Sequence, residues 1–261
     1  MKKKIKEIKS TSKKEKKQAK AECKSALRSI RAKKEESIKA LYETENIPRP
    51  KDPPKRSILE EIGNSVTHGV GAIFGIAALV VMLVLSENAL ERAGAIVYGV
   101  GLSVMFAMSC LYHSFRHGSA VKRLFRRFDY SSIYLLIGAT FAPVLIAYFG
   151  GVFGFVFLGV QWAIIATGVT FVGVFGPTRL RWLHIPLYVL LGWSAIMLLP
   201  GMISGGALKM ALFILGGGVV YSLGIIPFVL KKRVSHFIWH FFVLAGAVVQ
   251  WVGIFTHIYL G

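Results

Sequence analysis

The segment His236-Phe237-Ile238-Trp239-His240 sets two of the chain's seven histidines four residues apart in an apolar setting. Residues at that spacing project from one face of a helix, so both imidazoles can reach the same metal ion. His113, preceded four residues earlier by Ser109, can complete a set of three nitrogens. Zinc binds histidine nitrogens at about 2.0–2.1 Å, and its catalytic sites keep a fourth position open to water. Such a water ionises at a pH of roughly 7. Asp129, the only acid between residues 92 and 261, suits the task of orienting or deprotonating that water. That is hydrolytic chemistry at neutral pH. The same residue types also serve plainer ends: interhelical hydrogen bonds or interfacial snorkelling beside Lys231, Lys232 and Arg233 for the histidine pair, a salt bridge to Arg126 or Arg127 for Asp129, and packing for Ser109 and Cys110.

Four further polar residues, Glu61, Asn64, Thr67 and His68, precede a long apolar stretch. Ionisable groups at membrane depth are costly and face a bundle interior or cavity, which makes each a functional candidate. Glu61 and Asn64 can support the ligands from behind or satisfy free amides of a first helical turn. His68 can stand behind the ligands or be structural. His117, His184 and His257 lie near span ends and receive no chemical role.

The elements that must position these residues are membrane helices. The chain of 261 residues is 54% hydrophobic and 17% charged, with mean hydropathy +0.56, a net charge of +19 and a pI near 10.1. An average globular chain is about 25% charged, so an ordinary soluble domain is excluded. Residues 1–56 carry 20 Lys/Arg and 8 Asp/Glu, so much of the basicity belongs to a tail. The pI alone would suggest nucleic acid, but apolar runs of about 20 residues, long enough to cross a hydrocarbon core of about 30 Å, point to a membrane. No nucleic-acid partner is expected.

Seven spans are predicted, at roughly 62–85, 93–115, 129–149, 152–174, 182–200, 207–228 and 234–259. Ser57-Ile58-Leu59-Glu60 has capping-box spacing, which marks the start of the first helix. Gly71/Gly75, Gly150/Gly154 and Gly201/Gly205 permit close helix approach, and Pro143, Pro186 and Pro227 can kink their spans. Cationic residues mark the cytosolic side. Arg116, Lys122, Arg123, Arg126 and Arg127 are assigned to the second connection, Arg179 and Arg181 to the fourth, and Lys231, Lys232 and Arg233 to the sixth. The opposite side offers Arg92 and Lys209. The expected topology has a cytosolic amino terminus and an outside carboxyl terminus, with every candidate site residue near the cytosolic ends.

Residues 1–46 form a basic, partly helical or disordered cytosolic tail. Leu27, Ile30, Ile38 and Leu41 make a thin helical stripe that Lys34 interrupts. It suits a solvated extension, a coiled-coil contact, or an arm lying on anionic lipid. Residues 47–56 are a proline-rich linker, and residues 57–261 are the membrane domain. No segment of the tail resembles a signal-peptide core, so targeting falls to the first span. Cys23 and Cys110 occupy surroundings too different for a structural disulfide.

Four motifs together carry a resemblance: Glu61-Ile62-Gly63-Asn64-Ser65-Val66-Thr67-His68, Ser109-Cys110-Leu111-Tyr112-His113, Arg127-Phe128-Asp129-Tyr130 and His236-x-x-x-His240. From Glu61 onward the chain resembles the bacterial hemolysin III proteins, relatives of the progestin and adipoQ receptors and, more distantly, of the alkaline ceramidases. The resemblance implies an all-α bundle of seven transmembrane helices with an internal amino terminus and a zinc ion near the cytosolic face. It implies His113, His236 and His240 as ligands, Asp129 holding the zinc water, Ser109 supporting the site, and Tyr130 among the supporting residues. It further implies hydrolysis of lipid amides, with an interhelical cavity for the acyl chain. The basic tail lies outside the shared core.

Three functions follow as expectations. The first is a zinc-dependent intramembrane hydrolase of lipid amide or ester bonds, with membrane lipid as substrate. The second is a receptor or homeostasis factor with structural zinc, and the third a cytolytic or pore-associated protein, which the family name suggests. A pore calls for polar residues along the whole membrane depth, whereas here they gather at one end. The expected location is the bacterial plasma membrane, and one chain can house the whole site, so no oligomer is required.

Overall fold

A computed structural model describes residues 2–44, 53–230, 232 and 234–261. Residues 45–52, which include residues 47–52 of the linker, and the basic residues Lys231 and Arg233 lie outside the described residues. The chain divides into two compact units, residues 1–52 and 53–261. The first contains one long helix, α1 (Lys2–Thr44). The second is all helical among the described residues, with seven helices long and apolar enough to span a membrane. These are α2 (Ile58–Leu85), α3 (Ala89–Ser114), α4 (Ala120–Phe149), α5 (Gly151–Phe175), α6 (Arg181–Ser204), α7 (Leu208–Leu230) and α8 (Ser235–Tyr259).

Their outward faces are apolar. Leu59, Ile73, Val84, Val152 and Trp182 are each at least 70% exposed, a surface that only lipid covers without penalty. Small residues set the inner contacts. A Cβ on Gly75 would lie 2.7 Å from the backbone nitrogen of Ser103, so α2 and α3 cross closely where the glycine spacing predicts it.

Helix starts follow local chemistry. The Ser57 hydroxyl accepts the Glu60 amide at 3.2 Å, Asn88 caps α3, and the Ser119 hydroxyl accepts the Lys122 amide at 3.0 Å. The last cap corrects the expected boundary of the third span, because α4 begins nine residues before position 129. Of the five cationic residues assigned to the second connection, only Arg116 lies in it. The others enter the helix, where the long side chains of Lys122, Arg123 and Arg127 find acceptors. Lys122 Nζ donates to Phe115 O at 3.0 Å, while Arg123 and Arg127 donate to the carbonyls of Gly118 and Gly173 at 2.7 and 3.0 Å.

Candidate metal centre

His113 comes from the last turn of α3, and His236 and His240 from the first two turns of α8. His113 Nε2 lies 3.3 Å from His236 Nε2, which lies 3.2 Å from His240 Nε2. Three imidazoles from two helices thus aim the same ring atom at one point, and their ligand atoms all fall within 4.8 Å of one another. His113 and His240 are buried, and His236 is half-buried.

The hydrogen-bond pattern tests whether a cation fits. His113 Nδ1 lies 2.5 Å from Glu61 Oε2, which places the ring proton on Nδ1 and leaves Nε2 with its lone pair directed into the cluster. His236 Nε2 has two nitrogen neighbours, and a single ring proton cannot satisfy both. A tetrahedral site with Zn–N bonds of about 2.0–2.1 Å has N···N edges of about 3.3 Å. The spacing, the convergent lone pair and the all-nitrogen donor set therefore suit a zinc-sized ion. His240 Nδ1 is buried without a partner among the described residues.

The residues around the cluster hold it in two layers. Glu61 also accepts from Lys122 Nζ, at 2.9 Å. Asn64 Nδ2 lies 3.3 Å from His113 Nδ1. His68 stacks on His240, with ring centroids 3.8 Å apart and planes tilted by 22°. Thr67 stays apart, its hydroxyl donating to Gly63 O at 2.7 Å within its own helix. A carboxylate receiving the distal N–H of a metal-ligating histidine fixes the ring's tautomer and orientation, and Glu61 occupies that position.

Asp129 is on α4, outside the three-nitrogen cluster. Its carboxylate interacts with the Ser109 side chain and feels the charges of His113, Arg56 and Arg126. Tyr130, the next residue, accepts the Tyr188 hydroxyl on its backbone oxygen at 2.9 Å and lines a cavity. That cavity, of about 130 Å³, lies between α4, α6, α7 and α8 and is almost wholly apolar. Its wall includes Trp239, which precedes His240, and Phe228, whose ring centroid is 5.9 Å from that of His236.

Three residues join the neighbourhood of the site that sequence reasoning does not place there. Lys122, expected in a connection, is buried and braces Glu61. Lys122, Arg126 and Asp129, spaced by four and three, share one face of α4 once the helix begins after Ser119, and that spacing is a usable signal. Arg56 precedes α2 and reaches Glu60, Nε to Oε1 at 3.7 Å. His184, near the start of α6, is buried within the protein, with Nδ1 2.9 Å from the Tyr134 hydroxyl, and it lines the cavity. Cys23 is exposed and Cys110 half-buried, each with a free thiol.

These features define a class: a multi-pass membrane bundle with a largely buried three-histidine cluster at one end, next to an apolar cavity. The chain belongs to the haemolysin-III related family, whose model matches residues 56–251. It is 32% identical to Hemolysin-3 of Bacillus cereus over 197 residues, covering 74% of this chain and 89% of the relative. It is 33% identical to the Hemolysin-3 homolog of Bacillus subtilis over 198 residues, covering 73% and 91%. It is also 26% identical to the human Monocyte to macrophage differentiation factor over 211 residues, covering 78% and 87%.

Proposed function

We propose that this chain is a zinc-dependent intramembrane hydrolase of lipid amide or ester bonds, resident in a bacterial plasma membrane with its amino terminus and metal site on the cytosolic side. One observation carries the reading: three histidine nitrogens converge at 3.2–3.3 Å beside an apolar cavity walled by Tyr130, Phe228 and Trp239. A pocket of this kind, apolar with a few convergent polar groups, suits an acyl chain whose polar end meets the metal. The orientation rests on Arg116, Arg179, Arg181 and Lys232 lying towards the site end of the chain's alternating spans, with Arg92 and Lys209 towards the other.

His113, His236 and His240 hold the ion, and Glu61 keeps the His113 lone pair on Nε2. When bound, zinc supplies a Lewis acid that polarises the scissile carbonyl and lowers the pKa of water. Asp129 takes the proton of the attacking water and returns it to the departing amine or alkoxide as the C–N or C–O bond breaks. Ser109 holds the Asp129 carboxylate in place. Arg56 and Arg126 supply the positive charge that faces this carboxylate, and the cavity keeps bulk water from the acyl chain.

The test begins with metal content by mass spectrometry on purified wild-type protein and on His236→Ala/His240→Ala. About one zinc per chain, lost in the double variant, is expected, followed by turnover in a panel of lipid amides and esters. Stoichiometric zinc without turnover across a broad panel would leave the metal structural and overturn the hydrolase reading.

The names of the two Bacillus relatives favour a second reading, membrane lysis. Purified protein added to erythrocytes distinguishes the two. Lysis that persists in His236→Ala/His240→Ala would be independent of the metal site, whereas lysis lost with zinc would be a consequence of lipid hydrolysis.

A further inference from the structure

One face of the long helix α1 carries a basic ridge. Lys13, Lys16, Lys20, Lys24, Arg31 and Lys34 follow one another mainly at intervals of three and four, with Leu27 filling the remaining step. On the helix Lys2–Thr44 that spacing makes a continuous ridge over six turns, about 30 Å long. Glu15, Glu22 and Glu36 fall on the far side of the same helix, while Glu35 borders the ridge near its end. The apolar stripe of Leu27, Ile30, Ile38 and Leu41, each at least 44% exposed, overlaps the ridge and extends along one edge of it. Other basic residues, Lys14, Arg28 and Lys33 among them, lie elsewhere on the helix, but no acid falls within the ridge itself, and a fully water-exposed stripe of leucine and isoleucine has no energetic advantage.

We propose that α1 is a membrane-surface arm that lies with its basic ridge and apolar stripe on anionic phospholipid and its acidic face towards water. Charge complementarity selects this occupant: lysines of the ridge meet phosphate headgroups while the adjacent leucines and isoleucines enter the acyl boundary, the pattern of an interfacial helix. The tether favours it further. The chain between Thr44 and the first span at Ile58 reaches at most about 50 Å, so the arm stays near the bilayer surface at high effective concentration. Nucleic acid would use the lysines but leave the stripe unburied, and a paired copy would bury the stripe while bringing two basic ridges together. The inference concerns the arm alone and stands whatever the metal site does.

Cys23, exposed and within the stripe's sector, reports the outcome. The full chain carrying Cys110→Ala and an environment-sensitive fluorophore on Cys23 is reconstituted in phosphatidylcholine vesicles with and without phosphatidylglycerol. A blue shift and protection from an aqueous quencher are expected only with phosphatidylglycerol, and are lost in high salt. Lys20→Gln/Lys24→Gln, on the ridge, weakens partitioning about 30-fold, whereas Lys14→Gln/Lys33→Gln, off the ridge and equal in net charge, leaves it nearly unchanged. Cys23 equally exposed in both lipids would overturn the proposal. So would equal loss in the two lysine pairs, Cys23–Cys23 cross-linking between copies in place of immersion, or protection that appears only on adding RNA.

Discussion

Glu61 Oε2 meets His113 Nδ1 at 2.5 Å, while the other oxygen of the same carboxylate receives Lys122 Nζ at 2.9 Å. A lysine on α4 thereby determines the orientation of a histidine on α3 through a carboxylate on α2. All three groups are largely withdrawn from water, so each depends on the others. Lys122→Met removes the cation and leaves the Glu61 carboxylate with only its His113 hydrogen bond, and breaking a buried ion pair costs about 3–5 kcal/mol. The double variant Lys122→Met/Glu61→Gln removes both charges and regains much of the thermal midpoint. It does not regain metal affinity, because the neutral side-chain amide introduced at position 61 is a weaker acceptor for the His113 ring proton. Zinc competition with a fluorescent chelator should show a 10–100-fold loss in the double variant despite restored folding.

Metal removal should loosen the contact between α3 and α8. An ion held by His113 on one helix and by His236 and His240 on the other binds the folded bundle and not separated helices. Ligand present at about 1,000 times its dissociation constant stabilises by about 4 kcal/mol. Chelator treatment of the zinc-loaded protein in detergent should therefore lower its thermal midpoint by several degrees, and zinc should restore it. His236→Ala/His240→Ala should begin at the lower midpoint and respond to neither treatment. An unchanged wild-type midpoint would mean that the histidines pack without an ion.

The histidine cluster is legible in the sequence because its geometry is local: His236 and His240 need only one helix, and His113 needs a second helix ending at the same depth. The seven spans are legible because 20-residue apolar runs have few other uses. What escapes is the beginning of α4. A run such as Lys122-Arg123-x-x-Arg126-Arg127 looks like a membrane-side loop, since hydropathy counts charges without asking whether they find partners. Lys122 finds Glu61 sixty-one residues earlier and two backbone carbonyls, contacts no local pattern encodes. His184 escapes for a related reason: Arg179 and Arg181 make its surroundings look interfacial, while its partner Tyr134 lies on another helix. The pairing of Ser109 with Asp129 joins α3 to α4 and becomes visible only with the fold.

Asp129 and the histidines should separate in their effects. The carboxylate stands apart from the three convergent nitrogens, so Asp129→Asn should keep about one zinc per chain while losing the proton acceptor. General-base catalysis contributes about 10²–10⁴-fold, and lipid turnover should fall by that amount with zinc content unchanged. Ser109→Ala, which leaves the carboxylate present and less well held, should cost less. Paired metal analysis and turnover on the same preparations check both. If Asp129→Asn turned over lipid at the wild-type rate, the residue would have no place in the chemistry.

The cavity can be filled without disturbing its walls. Gly192 on α6 and Gly218 on α7 both line it, and a Cβ added at either position would meet nothing within 4 Å. Gly192→Phe or Gly218→Leu should fold, since the new side chain grows into space and helix propensity improves by about 0.5–1 kcal/mol over glycine. The cavity holds only about 130 Å³, so one such side chain takes volume that an acyl chain would occupy. The cluster, built from α3 and α8, is untouched, and zinc content should stay at the wild-type level. Long-chain lipid substrates should then lose at least about tenfold in kcat/KM, chiefly through KM, while analogues with a short acyl group lose little. Equal loss for long and short chains would place the acyl group elsewhere on the bundle, whereas a loss that grows with chain length identifies this cavity as its site.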